Sequence, residues 1–393
     1  MSIDENNAYE ITEKLSFPRL SGSDGEKKAI NIILEEFKKA GYDDVKREPF
    51  KTSLYTWKLA EYFFLAASIM IIILALSFYT FPLISILLSV VMLVGMFTFL
   101  GVISNSKIRL FRKDSKNIMT ENLYTDLKSN EALANVIILA HHDTKSQMFP
   151  SHIRMILIIT VVFAGFFLLI LYLVFSFLKI FLILNLLIID NLLFIISLII
   201  ASLAFANFFN KTGNKSPGST DNATSVGAVL ELSKYYRKNP IKQIGFTFLI
   251  TGSEELNLGG AYNFITNHKN KYDKKNTFFI NFDCVGSTGP IFIISAYGIP
   301  KKVNNSRLIK YYHKAGEILE LEVQNKYIPT GAWGDHEPII RQGFEACFVG
   351  SKGSEKKVHT KYDNMDLVSR EGLNNILKIT VEVIKMISED FVN

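Results

Sequence analysis

Ser216-Pro-Gly-Ser-Thr-Asp221-Asn222-Ala223 is the stretch on which the reading of this 393-residue chain turns. A Pro-Gly turn leads into a carboxylate, then into small residues that open a helix running to about Arg237. The spacing predicts that Asp221 caps that helix. Outward from it, apolar runs of strand length end repeatedly in polar residues of ligand type. ANVIILA ends at His141-His142-Asp143, IKQIGFTFLIT at Gly252-Ser253-Glu254-Glu255, and NTFFINF at Asp283. PIFIIS and EACFVG are further strands, and His359 lies in the polar loop after the second. Helices are expected near 303–318, at Asp335-His336-Glu337-Pro338 and over 367–390. Strands alternating with helices predict an α/β fold, a mostly parallel mixed sheet flanked by helices.

The N-terminal part fits the same scheme. Ser21-Gly-Ser-Asp24-Gly is a helix start, with Ala29, Ile32, Ile33, Phe37 and Ala40 at helical spacing and Gly41 as the stop. DDVKREPF and NIMTENLYTDLK read as strands. Two blocks break the pattern, about 59–104 and 153–208, and much of the chain's 49% hydrophobic content concentrates there. Tyr62–Thr80 and Leu83–Ser104, separated by Pro82, carry no charge and are long enough to cross a bilayer core, which takes about 20 residues. The second block predicts a span over Ile153–Phe177 and another ending near Phe209. Its turn falls between 178 and 191, where Lys179, Asp190 and Asn191 interrupt the apolar run. Four transmembrane helices are therefore expected, as two inserted hairpins. The domain plan is 1–58, 105–152 and 210–393 for the catalytic domain, with hairpins over 59–104 and 153–209.

Composition narrows the function. A net charge of +6 without a dense basic run gives no footprint for nucleic acid. Two cysteines, Cys284 and Cys347, each in or just after an apolar run, read as core thiols rather than a disulfide framework.

The strand-end residues form a metal-binding inventory. In open α/β sheets, sites assemble at the carboxyl ends of strands, so residues far apart in sequence converge there. His141 and Asp143, two apart on an extended backbone, point the same way, and the carboxylate can orient the imidazole. Glu254 and Glu255 diverge, so one can bind metal while the other faces a water as general base. Asp283 closes a buried strand and requires a cation or donor. With Asp221 and His359, this set suits two divalent ions bridged by one carboxylate, zinc by preference with cobalt or manganese as substitutes.

These stretches resemble the M28 family of metallopeptidases. The resemblance is carried, in order, by AHHDT (140–144), SPGSTDNATSVGAVLELS (216–233), TGSEELNLGGAYNF (251–264), INFDCVG (280–286), GDHEPIIRQGF (334–344) and HTKYDN (359–364). It implies a dizinc centre with His141 and Asp283 on one ion, Glu255 and His359 on the other, and Asp221 between them. Glu254 would be the general base and Asp143 would support His141. The implied activity is peptide hydrolysis, as an aminopeptidase. Two alternatives share the fold: glutaminyl cyclisation, with one zinc on the counterparts of Asp221, Glu255 and His359, and a catalytically inactive scaffold. The chain departs from the pattern in Val358, where several relatives carry a tyrosine that helps stabilise the oxyanion. It departs again in the 77 residues between Asp143 and Asp221, where relatives have a short loop. That insertion suggests a catalytic mouth near the bilayer, taking peptide or protein substrates from the membrane; accessibility labelling of loop 144–152 checks this.

Orientation follows from the flanks. Both hairpins return to the catalytic side, where Lys51, Lys58, Lys107, Arg109, Arg112, Lys113, Arg154, Lys211 and Lys215 cluster, while the tips offer little beyond Lys179. The positive-inside bias places the catalytic domain in the cytoplasm. A reporter fused after Asn393 should be active only if it folds in the cytoplasm; activity restricted to the opposite side would reverse the topology.

Overall fold

A computed structural model describes residues 3–104, 118–182, 187–298, 300–329 and 334–392. The chain divides into two compact units. The first comprises residues 1–52, 116–146 and 213–393, and the second 53–115 and 147–212. Lys107, Arg109, Arg112 and Lys113 lie outside the described residues.

The first unit is built on a nine-stranded sheet. Its strands are β1 (Lys46–Thr52), β2 (Ile118–Leu127), β3 (Ala134–His141), β4 (Ile244–Thr251), β5 (Thr277–Phe282), β6 (Ile291–Tyr297), β7 (Lys302–Val303), β8 (Val323–Ile328) and β9 (Glu345–Ser351). Their order is β1-β2-β4-β3-β5-β9-β6-β7, with β8 paired to β6. The centre, β4-β3-β5-β9, is parallel. The flanks are antiparallel: β1 with β2, β2 with β4, and β6 with β9 and β7. This is the expected mixed α/β sheet. β7 and β8 go beyond the expectation, because KV is too short to show a period and VQNKYI is polar and half-exposed.

Alternation explains why the central strands are apolar throughout. Val136, Ile138 and Ala140 of β3, with Phe246, Phe248 and Ile250 of β4 and Phe278, Ile280 and Phe282 of β5, face one core. That core is completed by α1 (Glu5–Leu15), α2 (Asp24–Lys39), α7 (Thr224–Lys238), α9 (Arg307–Leu319) and α11 (Arg370–Asp390). Ile137, Leu139, Leu249, Phe279 and Ala346 face the opposite side, against α8 (Gly259–His268) and α10 (His336–Arg341). Strands buried on both faces lose the period of two that marks a half-exposed sheet.

The second unit contains α3 (Tyr55–Thr80), α4 (Pro82–Ser104), α5 (Ser151–Leu182) and α6 (Leu187–Phe208). Within them are four segments long and apolar enough to cross a membrane, of 26, 20, 29 and 22 residues. Their mutual core includes Leu74, Phe78, Leu168, Tyr172, Leu193 and Ala201. Tyr172 Oη and Ser197 Oγ pair at 2.8 Å, and Ser68 Oγ donates to the carbonyl of Ala201. Lys179 and Asp190, the charges that interrupt the second block, neutralise one another at 2.7 Å, near the ends of α5 and α6 that face residues 183–186. Helix α3 begins seven residues before the expected span, and α5 runs five beyond it. Residues 183–186, within the stretch where the turn is expected, lie outside the described set.

One buried cation fastens the loops of the first unit. Arg19 is fully buried. Its Nε donates to the carbonyl of His142 (2.6 Å), Nη1 to those of Leu15, Phe17 and Pro217, and Nη2 to that of Gly218. Gly218 adopts φ +60°, and a Cβ there would lie 2.1 Å from Thr144 Cγ2, so the turn requires glycine. Ser146 and Gly213, the residues that bracket 147–212, exchange two backbone hydrogen bonds (2.7 and 2.8 Å). Replacing Arg19 with Met leaves these carbonyls buried without a donor. Arg19→Met should cost about 3 kcal/mol or more, read as a fall in the thermal midpoint of the solubilised protein; an unchanged midpoint would show that the arginine does not fasten the loops.

Candidate metal centre

The parallel centre of the sheet brings three strand ends to one edge. β3 ends in His141; Glu254 and Glu255 follow β4; Asp283 follows β5. Asp221 does not cap the next helix, contrary to the expectation. It sits in a turn, Ser219–Ala223, with extended backbone (φ −119°, ψ 82°), and α7 begins only at Thr224 with Ala223 before it. Its backbone N–H is bonded to Asp363 Oδ2 (3.1 Å), and Thr220 donates to Asp363 Oδ1 from its N–H (2.8 Å) and hydroxyl (2.6 Å). The Asp221 carboxylate is thereby free to face the sheet edge rather than close a helix.

The expected residues gather there. Ligand atoms of His141, Asp221 and Asp283 lie within 4.8 Å of one another, as do those of Asp221, Glu255 and His359. His141 Nε2 is 3.3 Å from Asp221 Oδ1, and His359 Nε2 is 3.0 Å from Asp221 Oδ2 and 3.1 Å from Glu255 Oε1. Asp221 thus faces one histidine with each oxygen. Glu254 Oε2 stands 3.9 Å from His141 Nε2. His142 turns away and meets the carbonyl of Glu121.

The supporting contacts are specific. Asp143 is fully buried; its backbone carbonyl meets His141 Nδ1 at 3.0 Å, and its carboxylate lies 3.5 Å from the same nitrogen and accepts from the backbone N–H groups of Glu254 (3.0 Å) and Glu255 (3.3 Å) and from Ser21 Oγ (3.0 Å). It therefore holds both the histidine and the Glu-Glu turn, and acts through them. Asn222 clamps the end of β5: its Nδ2 donates to the carbonyl of Phe282 and its Oδ1 accepts from the N–H of Cys284. The residue between, Asp283, is fixed by that clamp. Cys347 is buried as expected, whereas Cys284 is only half-buried.

Electrostatics give the cluster its chemistry. Burial works against charge on His141, but the carboxylates of Glu254, Asp143 and Asp221 raise its pKa well above the usual histidine range. Burial likewise opposes charge on Asp221, yet the two histidines hold it well below the carboxylate range. Burial pushes Asp283 up to about 6, with Asp221 adding. Glu254 is raised well above the ordinary value by burial, against the pull of His141. Clustered carboxylates of this kind call for a compensating cation. Among the described residues, His141 Nε2 is buried without a hydrogen-bond partner and faces carboxylate oxygens of Asp221 and Glu254. Mixed imidazole and carboxylate donors around such an atom fit a zinc-class ion.

Sequence reasoning missed several contributors. Asp335, buried and raised to about 7 by burial, accepts from Thr251 Oγ1 and adds to the repulsion on Glu254. Asp363 and Asp335 lie inside the motifs singled out above, so their positions are visible in sequence but their roles are not. Lys145, bonded to Glu255 Oε2 at 2.5 Å, and Arg19 give no signal at all.

Known proteins share this arrangement of elements. Residues 203–384 match the model of peptidase family M28, which bears out the resemblance read from the motifs. A Caenorhabditis elegans protein described as an endoplasmic reticulum metallopeptidase, 1-B, is 27% identical over 160 residues, 39% of this chain. The match spans only 17% of that relative's length. Among solved structures, an aminopeptidase from Aneurinibacillus sp. strain AM-1 has a TM-score of 0.58 at 14% identity, covering 98% of this chain and 94% of its own. BSAP, a zinc aminopeptidase from Bacillus subtilis, scores 0.57 at 13% identity, covering 98% and 95%. A glutaminyl cyclase from an Acidobacteriales bacterium scores 0.57 at 13% identity, covering 99% and 96%. At these identities the likeness is one of fold.

If divalent ions neutralise this cluster, stripping them destabilises the fold. Chelation should lower the thermal midpoint and zinc should restore it, by about 4 kcal/mol at a thousandfold excess over Kd. A midpoint indifferent to both would show that the carboxylates are balanced without metal.

Proposed function

For a chain whose residues 203–384 match peptidase family M28, we propose a membrane-anchored, zinc-dependent peptidase that removes residues from the amino terminus of peptides. The observation that supports it most is Asp221, set between His141 and His359 with Asp283 and Glu255 beside it. His141, Asp221 and Asp283 would hold one ion, and Asp221, Glu255 and His359 a second. Zinc bound there would supply Lewis acidity that polarises a peptide carbonyl and acidifies water.

Glu254 is the general base of this reading. Its carboxylate oxygen Oε2 takes a proton from the attacking water and returns it to the leaving amine. The local geometry supports that role. Asp143 holds the turn, and Glu254 diverges from Glu255, so the pair divides into base and ligand. The remaining carboxylates suit recognition of a free substrate ammonium, which favours an aminopeptidase.

The anchoring half of the proposal rests on α3–α6. Their outward faces display Ile69, Leu76, Leu87, Phe163, Phe167 and Leu192, each more than half exposed. Apolar surface on that scale is stable against lipid, not water. The basic flanks Lys51, Lys58, Arg154, Lys211 and Lys215 support a cytoplasmic catalytic unit.

Glutaminyl cyclisation remains the rival, since the fold matches both chemistries equally. Metal content separates them: two zinc ions per chain for the peptidase, one for the cyclase. Glu254→Gln should reduce turnover of aminoacyl fluorogenic substrates by about a hundredfold or more while metal content, measured by elemental analysis, is retained. Hydrolysis undiminished in this variant would remove Glu254 as the base.

A further inference from the structure

Lys145 follows His141-His142-Asp143-Thr144 directly. Its side chain is buried, with Nζ 2.5 Å from Glu255 Oε2. The other oxygen of Glu255 faces His359 Nε2 at 3.1 Å. One carboxylate is thus divided between an ammonium and the position it would help to form. The backbone of Glu255 is also fixed, through its N–H to Asp143.

The second position differs. His141 has Asp143 behind its Nδ1, 3.5 Å away, which raises the basicity of the ring, and Asp221 and Asp283 complete the group. A buried ammonium bonded to a ligand withdraws electron density from it and repels any cation the ligand binds; in a buried site this interaction is only weakly screened.

We propose that Lys145 makes the two cation positions unequal, so that the His141–Asp221–Asp283 position fills first and tightly while the Asp221–Glu255–His359 position fills second and weakly. This rests on the dinuclear reading above. Lys145 is then a positioning residue: it restricts Glu255 to one oxygen toward the ion and sets the zinc level at which the centre becomes complete. The order is opposite to that of a single-zinc cyclase centre, which would occupy the Glu255 position alone.

Zinc titration of the chelator-stripped full chain against a chromophoric competitor, with metal counted by mass spectrometry, tests this without reference to activity. The wild type should show two events at least tenfold apart. Lys145→Met and Lys145→Gln should each tighten the weaker event about tenfold and leave the tighter one unmoved, and Lys145→Arg should restore the spacing. His141→Ala should abolish the tight event and Glu255→Gln the weak one. Circular dichroism confirms that each variant is folded. Unchanged spacing in both neutral variants would overturn the proposal, as would loss of the tight event in Glu255→Gln but not in His141→Ala. Absence of zinc binding by the wild type would instead bring down the metallopeptidase reading, and this inference with it.

Discussion

Mutual repulsion among buried carboxylates is the constraint that shapes the sheet-bearing unit. Asp143, Asp221, Glu255 and Asp283 are all buried at one edge of the sheet, with Glu254 and Asp335 adjacent. Each alone would resist losing its hydration, and together they resist one another. Such a group persists only where positive charge is supplied. Lys145 supplies part of it. The fit to divalent ions follows from that need as much as from the identity of the ligands.

The scaffold is organised to hold these groups in spite of their repulsion. Asp143 uses both carboxylate oxygens on the Glu-Glu turn while its position behind His141 orients the ring. Asp363 collects the N–H groups of Thr220 and Asp221, and Asn222 spans Asp283 from either side. Arg19 ties the loop that precedes Asp221 to the residue after β3 through the carbonyls of Pro217, Gly218 and His142, and holds the end of α1 through those of Leu15 and Phe17. None of these four residues needs to touch a substrate. Together they make the approach of like charges a property of the backbone rather than of flexible side chains.

Much of this is legible before any coordinates. Apolar runs ending in His, Glu or Asp mark parallel strands whose carboxyl ends share an edge, because strands buried on both faces are mostly apolar until they leave the sheet. The apolar hairpins announce themselves by length. What escapes notice is what local pattern does not encode. A two-residue strand and a polar edge strand have no period to detect. Asp221 looks like a helix cap because Asp before small residues usually is one; only the long-range bonds from Asp363 draw the chain into an extended turn. Arg19 and Lys145 are ordinary basic residues in sequence, and become exceptional through partners more than a hundred positions away.

The paired backbone bonds between Ser146 and Gly213 carry a consequence for how this architecture arose. They close a gate through which the chain leaves the sheet-bearing unit and re-enters it at nearly the same point. For the sheet, the intervening residues amount to one loop, and the entropy of closing a loop grows only logarithmically with its length. A hydrophobic module can therefore be acquired, lengthened or discarded at this junction with little penalty to the sheet-bearing unit. Modularity of that kind lets apolar helices be grafted onto a folded sheet without redesign of its interior.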